Sequence, residues 1–135
     1  MTDRRDFLKG SLVAASALVV GSVKIAGAEV APYTNIVYTA ANPGKWDKKV
    51  GSHLPSISVE GNKVTLFTKH GMAEKHFIVR HTLVLADGTV VGAETFTGTS
   101  AEAKSSYELP AGYKGVIYAT SFCNLHDFWV NEYTV

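Results

Sequence analysis

The stretch "HFIVRHTLVLADGTVVGAETF", from His76 to Phe96, carries the strongest structural signal in the chain. Two runs rich in β-branched and other apolar residues flank the pair Asp87-Gly88. An Asp-Gly pair between two such runs is typical of a tight turn that joins antiparallel strands. The stretch therefore predicts a β-hairpin, with strands over "HFIVRHTLVLA" and "TVVGAETF".

The pattern of short strands separated by turns continues on both sides of this hairpin. Further strand candidates are "TNIVYTA", "KVTLFT", "SSYEL", "GVIYATSF" and "FWVNEYTV". No amphipathic helix of useful length interrupts them. About seven strands in one domain predict an all-β fold, an immunoglobulin-like antiparallel β-sandwich. A small closed barrel is the alternative.

Residues 1–28 have the features of an export signal. Arg4 and Arg5 precede an apolar run, "SLVAASALVVGSV", and the small-residue pattern "AGA" that a signal peptidase accepts. Adjacent arginines followed by x-Phe-Leu-Lys resemble the twin-arginine signal, which exports folded proteins. We therefore expect cleavage after Ala28 and a periplasmic domain of residues 29–135. The alternative is an uncleaved signal that anchors the protein to the inner membrane.

Charge and cysteine content restrict the classes of partner and of chemistry. The chain has 13 Lys and Arg against 12 Asp and Glu, a balance that gives no support for a nucleic-acid partner or an anionic membrane partner. Cys123 is the only cysteine, so it cannot form an intrachain disulfide. A lone thiol sent to an oxidising compartment risks oxidation unless it is buried or bound to a metal.

The histidines and this cysteine form a candidate metal-binding set. His53 lies in "SHLP", His70 and His76 lie in "KHGMAEKHFI", and Cys123 and His126 lie in "CNLHDFW". Each fragment alone is also typical of surface residues. Together, four imidazoles and one thiolate exceed the four donors of structural zinc and the donor set of blue copper. They suit ferrous iron, with one coordination position left for a small molecule.

The same fragments resemble a known family. "CNLHDFW" resembles the Cys-Asn-x-His-Gly-x-Trp signature of superoxide reductases, the desulfoferrodoxin and neelaredoxin family. "KHGMAEKHFIVRHTLVLADG" is similar to that family's His-Pro-Met segment, and "SHLPSI" is similar to its first-ligand segment. The resemblance implies an immunoglobulin-like fold and a mononuclear non-haem iron. The implied iron ligands are His53, His70, His76, Cys123 and His126.

The resemblance also implies a reaction, the one-electron reduction of superoxide to hydrogen peroxide. That reaction needs an external one-electron donor protein, and no residue of the sequence identifies this donor. The resemblance is also compatible with a homo-oligomer. The chain lacks the cysteines of the four-cysteine iron centre that two-centre members of the family contain, and it is therefore similar to the single-iron type. His81 matches no ligand position, and we expect a structural role for it in the strand after His76.

Several positions depart from the family pattern. Gly51 and Ser52 stand where the family has Glu and Lys ahead of the first histidine, and Gly71 stands where it more often has proline. Asp127 replaces a glycine, and its carboxylate is expected either to bond an imidazole N–H or to face solvent.

The lost lysine raises the question of what attracts the anionic substrate. We expect Lys48 and Lys49 to supply positive charge over the open site, the alternative being that they are solvated loop lysines. Two other functions remain open at this point. One is a periplasmic iron-binding or electron-transfer module without efficient superoxide reduction, and the other is a purely structural sandwich with incidental histidines.

Overall fold

The computed structural model describes residues 33–135, and the strands in this part of the chain form two sheets. The five-stranded sheet has the order β1-β8-β7-β4-β5, and the three-stranded sheet has the order β2-β3-β6. The strands are β1 (Val37–Tyr38), β2 (Ser56–Glu60), β3 (Lys63–Thr68), β4 (Ile78–Leu85), β5 (Val90–Thr95), β6 (Ala103–Glu108), β7 (Val116–Cys123) and β8 (Asp127–Thr134). The all-β prediction is thereby confirmed.

Two features of the sheets differ from the sequence-based expectation. β2 was not predicted, although Ile57 and Val59 alternate with polar residues in it, and it pairs antiparallel with β3. β1 is only two residues long and lies parallel to β8, with Val37 opposite Phe128, so the larger sheet is not purely antiparallel. The other strand pairs in the two sheets are antiparallel.

The predicted hairpin forms as expected from its turn residues. β4 and β5 pair antiparallel, and the Leu85 N–H donates to the Thr89 carbonyl at 2.8 Å. Gly88 has a φ of 90°, which a residue with a Cβ adopts only with strain. The Asp87 carboxylate accepts the Thr89 N–H at 2.9 Å and closes the turn.

Two clusters of buried apolar side chains fill the space inside the sandwich. Each large aliphatic side chain of this kind contributes about 1.5–3 kcal/mol to folding through burial. The smaller cluster contains the sulfur of Cys123, which is fully buried. The larger cluster is Val64, Leu66, Leu83, Leu85, Leu109, Ile117 and Ala119; the smaller one is Ile78, Phe96, Ala103 and Cys123.

Two short helical segments connect β1 to β2. A 3₁₀ helix, Gly44–Lys49, continues into the one-turn helix α1, Val50–His53, whose last residue is buried. No helix within residues 33–135 has the length and apolar character needed to span a bilayer. The predicted signal, its cleavage after Ala28 and the alternative membrane anchor concern residues 1–28, which lie outside the described residues.

His81 lies in the core between the sheets, in agreement with the structural role expected for it. Its imidazole is fully buried, with Nε2 at 2.8 Å from the Thr68 hydroxyl and Nδ1 at 2.9 Å from the Ser105 hydroxyl. Burial lowers the pKa of His81 from 6.5 to about 4, because the charged form loses its hydration. Between pH 4 and pH 6.5 this imidazole is therefore neutral in the folded protein and protonated in the unfolded chain.

This difference predicts a pH dependence of stability. Between pH 6.5 and pH 4 the unfolded chain binds a proton at His81 that the folded chain does not, so the free energy of unfolding falls as the pH falls through this window. From pH 7 to pH 5 the His81 contribution is a loss of about 2 kcal/mol.

Urea unfolding of the metal-free protein at the two pH values measures the effect, with His81→Gln as the comparison. Titration of the other histidines is common to both proteins and cancels in the difference. Equal losses in the two proteins would show that His81 is not the responsible group.

Candidate metal centre

The five predicted ligands come from the ends of the secondary-structure elements. His53 is the last residue of α1, and Cys123 is the last residue of β7. His70 follows β3 by two residues, His76 precedes β4 by two, and His126 lies in the turn between β7 and β8. The candidate ligands therefore lie at or near the ends of elements that are distant in sequence. Side chains at these ends need not pack against a neighbouring sheet.

The structure brings the donor atoms of all five side chains together. The candidate donor atoms of His53, His70, His76 and Cys123 lie within 4.8 Å of one another. This group of four does not include His126, whose Nδ1 nevertheless lies 3.0 Å from His53 Nε2, 3.1 Å from His76 Nε2 and 3.5 Å from Cys123 Sγ. A fourth contact joins His70 Nε2 to His76 Nε2 at 3.1 Å.

These distances fit a shared metal ion. Imidazole nitrogens bind first-row metals at about 2.1 Å, and two nitrogens held at a right angle around such an ion lie about 3.0 Å apart. The observed nitrogen separations are 3.0 Å, 3.1 Å and 3.1 Å. Neutral imidazole nitrogens and one sulfur are suitable ligands for iron, so the donor chemistry and the spacing agree.

Hydrogen bonds orient two of the imidazoles so that Nε2 faces the cluster. Nδ1 of His53 lies 2.8 Å from the Ser52 hydroxyl and 3.2 Å from the Lys49 carbonyl. Nδ1 of His70 donates to the Gly71 carbonyl. A proton held on Nδ1 by a carbonyl leaves the lone pair on Nε2, the form that binds a metal.

Burial and nearby positive charge favour the neutral forms of His53, His70 and His126. The pKa of His53 is lowered to about 4, first by burial and then by the neighbouring His70 and His126. Burial also lowers the pKa of His70 and that of His126, and the charge of Lys49 acts in the same direction on all three. Since a metal ligand must be deprotonated, these rings are in the required form at neutral pH.

Asn124 joins the two segments that carry His76 and His126. Its Oδ1 accepts the Phe77 N–H at 3.0 Å and its Nδ2 donates to the Lys75 carbonyl at 3.0 Å, so it bonds both neighbours of His76. Its own N–H donates to the Phe77 carbonyl at 3.2 Å. The sequence motif contained this asparagine, but only the structure assigns it this role.

Aromatic side chains enclose other parts of the cluster. Trp129 is fully buried, donates its indole N–H to the His126 carbonyl at 3.1 Å, and has its ring centroid 5.8 Å from that of His53. Trp46 meets the His126 ring edge-on, with 4.7 Å between the ring centroids. These contacts place both indoles against the imidazole cluster at this end of the sandwich.

An open cavity of about 420 Å³ lies over three of the imidazoles, His53, His70 and His76. Its lining includes Lys49 and Lys69 and contains no carboxylate from the described residues. A second cavity of about 400 Å³, beside β1 and β8, is lined by neither histidine nor cysteine of residues 33–135.

Only one of the two lysines predicted from the sequence lies at this cavity. Lys49 lines it, whereas Lys48 is exposed outside it and donates its backbone N–H to the Asp47 carboxylate at 2.9 Å. Lys69, which also lines the cavity, was not predicted from the sequence. Its position beside His70 was the available signal, but the direction of a side chain in a loop is not encoded in a pattern.

The structure shows the surroundings of three positions that depart from the family motif. Asp127 has a φ of 62°, a left-handed conformation that glycine adopts most easily and Asp tolerates better than most residues. Within residues 33–135 its carboxylate makes no hydrogen bond with an imidazole. A Cβ at Gly51 would meet nothing within 4 Å, so that position is open, and Ser52 lines the cavity.

Comparisons with known proteins agree with the fold described above. The chain resembles a variant of the superoxide reductase (neelaredoxin) from Ignicoccus hospitalis, with a TM-score of 0.69 and 22% identity over 78% of this chain and 98% of the other. It resembles the 1Fe superoxide reductase from Giardia intestinalis with a TM-score of 0.57 and 24% identity, over 62% and 98% of the two chains. Both likenesses concern the fold.

A third solved structure and a family model extend the comparison. A variant of the neelaredoxin from Archaeoglobus fulgidus, in the reduced form, has a TM-score of 0.56 and 26% identity, over 66% of this chain and 92% of the other. The search of curated proteins gives no match. The family model described as Desulfoferrodoxin matches residues 45–132, a range that includes all five clustered side chains. The chain belongs to the desulfoferrodoxin family.

Proposed function

We propose that this chain is a superoxide reductase that reduces superoxide to hydrogen peroxide at one non-haem iron. The observation that supports it most directly is the convergence of four imidazole nitrogens and one thiol below an open, positively charged cavity. The ligands we assign to the iron are His53, His70, His76, Cys123 and His126. The iron, when bound, supplies a one-electron couple between its ferrous and ferric states.

The protein contributes a buried thiolate to this site. Cys123 is fully buried beside Ile78, Phe96 and Ala103, so water does not reach its sulfur from the core. Metal binding deprotonates such a thiol, and an anionic sulfur donates electron density to iron, as in thiolate-ligated haem enzymes. Burial also protects the sulfur from direct oxidation.

The cavity contributes attraction for the substrate and access for protons. Superoxide is a small anion, and a cavity lined by Lys49 and Lys69 without a carboxylate from the described residues attracts anions. The cavity is open, so water can deliver the protons that hydrogen peroxide requires. The electron for each turnover comes from an external one-electron donor protein. Function in the periplasm is part of the proposal and is supported by the twin-arginine sequence at Arg4 and Arg5.

A second candidate is an iron-binding or electron-transfer module of the same fold. The residues that favour it are Gly51 and Ser52, which stand where the family has Glu and Lys. The two candidates share the metal site and differ in the rate of superoxide consumption.

The assay that tests the proposed function mixes the reduced, iron-loaded protein with superoxide. We expect rapid second-order consumption with one hydrogen peroxide formed per superoxide and no release of oxygen. The iron-free protein is the control. Slow consumption by protein with a full iron content would favour the electron-transfer module, and oxygen release would indicate dismutation instead.

The cavity lysines predict a graded electrostatic effect. Lys49→Ala and Lys69→Ala should each slow superoxide consumption by about 3–10-fold at low ionic strength, because each removes a positive charge from the cavity. Each should also flatten the dependence of the rate on salt.

Lys48→Ala is the matched control, because it removes the same charge one residue away from Lys49 but outside the cavity. An equal effect of Lys48→Ala would mean that only the overall charge matters. Unchanged rates in all three variants would contradict electrostatic attraction by these lysines.

A further inference from the structure

Four buried polar side chains cross the interior of the sandwich and form hydrogen bonds with one another. Thr68 and Ser105 belong to the three-stranded sheet, and His81 and Ser121 belong to the five-stranded sheet. All four have less than a tenth of their surface exposed, and Thr68, His81 and Ser121 are fully buried. We call this set the Thr68 network.

Thr68 is the centre of the network. Its hydroxyl lies 2.8 Å from His81 Nε2 and 2.9 Å from the Ser121 hydroxyl. His81 Nδ1 continues the network to the Ser105 hydroxyl at 2.9 Å. A neutral imidazole has one donor and one acceptor nitrogen, so one consistent direction of donation along the chain satisfies every contact.

Two members of the network lie just ahead of proposed metal ligands in the sequence. Ser121 lies two residues before Cys123 in β7, and Thr68 lies two residues before His70 at the end of β3. The Thr68 carbonyl also accepts the His70 N–H at 2.8 Å. The side-chain hydrogen bonds of Thr68 therefore fix a residue whose backbone is bonded to that of His70. The Thr68–Ser121 bond therefore joins, across the two sheets, the strand ends that present an imidazole and the thiol.

Burial makes this connection resistant to rearrangement. A buried hydroxyl that loses its hydrogen-bond partner keeps the full cost of its lost hydration. Sliding of β3 relative to β7 would break the bonds at Thr68 in this way. The apolar contacts of the core are non-directional and do not resist such a shift equally well.

We propose that Thr68, through its hydrogen bonds to Ser121 and His81, is a positioning residue of the metal site and fixes the separation between His70 and Cys123. The inference rests on the proposed ligand set and goes beyond it, because no side chain of the network belongs to that set. Ser105 lies at the far end of the network, beyond His81, and provides an internal comparison.

The test compares three variants of the full protein. Thr68→Val keeps the shape of the side chain and removes its hydroxyl, and Thr68→Ser restores the hydroxyl. Ser105→Ala removes the bond at the other nitrogen of His81 and leaves the Thr68–Ser121 contact in place. The measurements are the affinity for ferrous iron, determined by competition with a chelator, the visible sulfur-to-iron band after oxidation, and the free energy of unfolding in urea.

The expected result for Thr68→Val is a loss of iron affinity of about tenfold to a hundredfold, the usual range for residues that orient ligands, together with a shifted sulfur-to-iron band. Thr68→Ser should return to within about threefold of the wild type, because it restores the hydroxyl that bonds Ser121 and His81. Ser105→Ala should be destabilised without a matching loss of affinity or shift of the band.

Two outcomes would overturn the inference. In the first, the ratio of affinity loss to stability loss is the same in Thr68→Val and in Ser105→Ala. In that case the hydrogen bonds stabilise the fold and do not position the metal ligands. If Thr68→Val binds iron like the wild type, the strand ends do not depend on it. Failure of the wild-type protein to bind iron would instead contradict the proposed function, so the two failures are distinguishable.

Discussion

Imidazole nitrogens lie against one another at one end of the sandwich. The rest of the site depends on what lies between their lone pairs. Three of the nitrogen–nitrogen distances are 3.0–3.1 Å. The Nδ1 protons of His53 and His70 are directed at other groups, so the Nε2 atoms of these rings present lone pairs to the cluster. Lone pairs at this distance are unfavourable unless a proton or a cation lies between them. A metal ion satisfies all of them at once.

The fold meets this constraint by assembling the site from termini. Strand ends and a one-turn helix carry the proposed ligands, and hydrogen bonds of polar side chains connect those ends. Asn124 connects the segments of His76 and His126, and Thr68 connects the ends of β3 and β7. The large apolar clusters supply most of the stability, whereas these directional bonds supply the geometry. The two contributions come from different residues and can be changed separately.

Local patterns predicted the architecture, and the resemblance to the family implied the set of five side chains that the structure brings together. The bounds of β3 agree with the run "KVTLFT", and the Asp87-Gly88 turn lies where the pattern placed it. β2 was missed, although it has the alternation of a half-buried strand. Lys48 and Lys49 were indistinguishable in sequence, because only the turn of the 3₁₀ helix decides which one faces the cavity. Such directions depend on packing between distant segments, which no short motif encodes.

The central claim is that Cys123 and the clustered histidines hold one iron. It is tested most directly by the metal content and the visible spectrum of the purified protein, before and after oxidation, with Cys123→Ser measured beside it. The account predicts one iron per chain and a sulfur-to-ferric-iron band that disappears in the Cys123→Ser variant. Zinc, or no metal after iron-supplemented expression, would contradict it, and so would a band that persists in the variant.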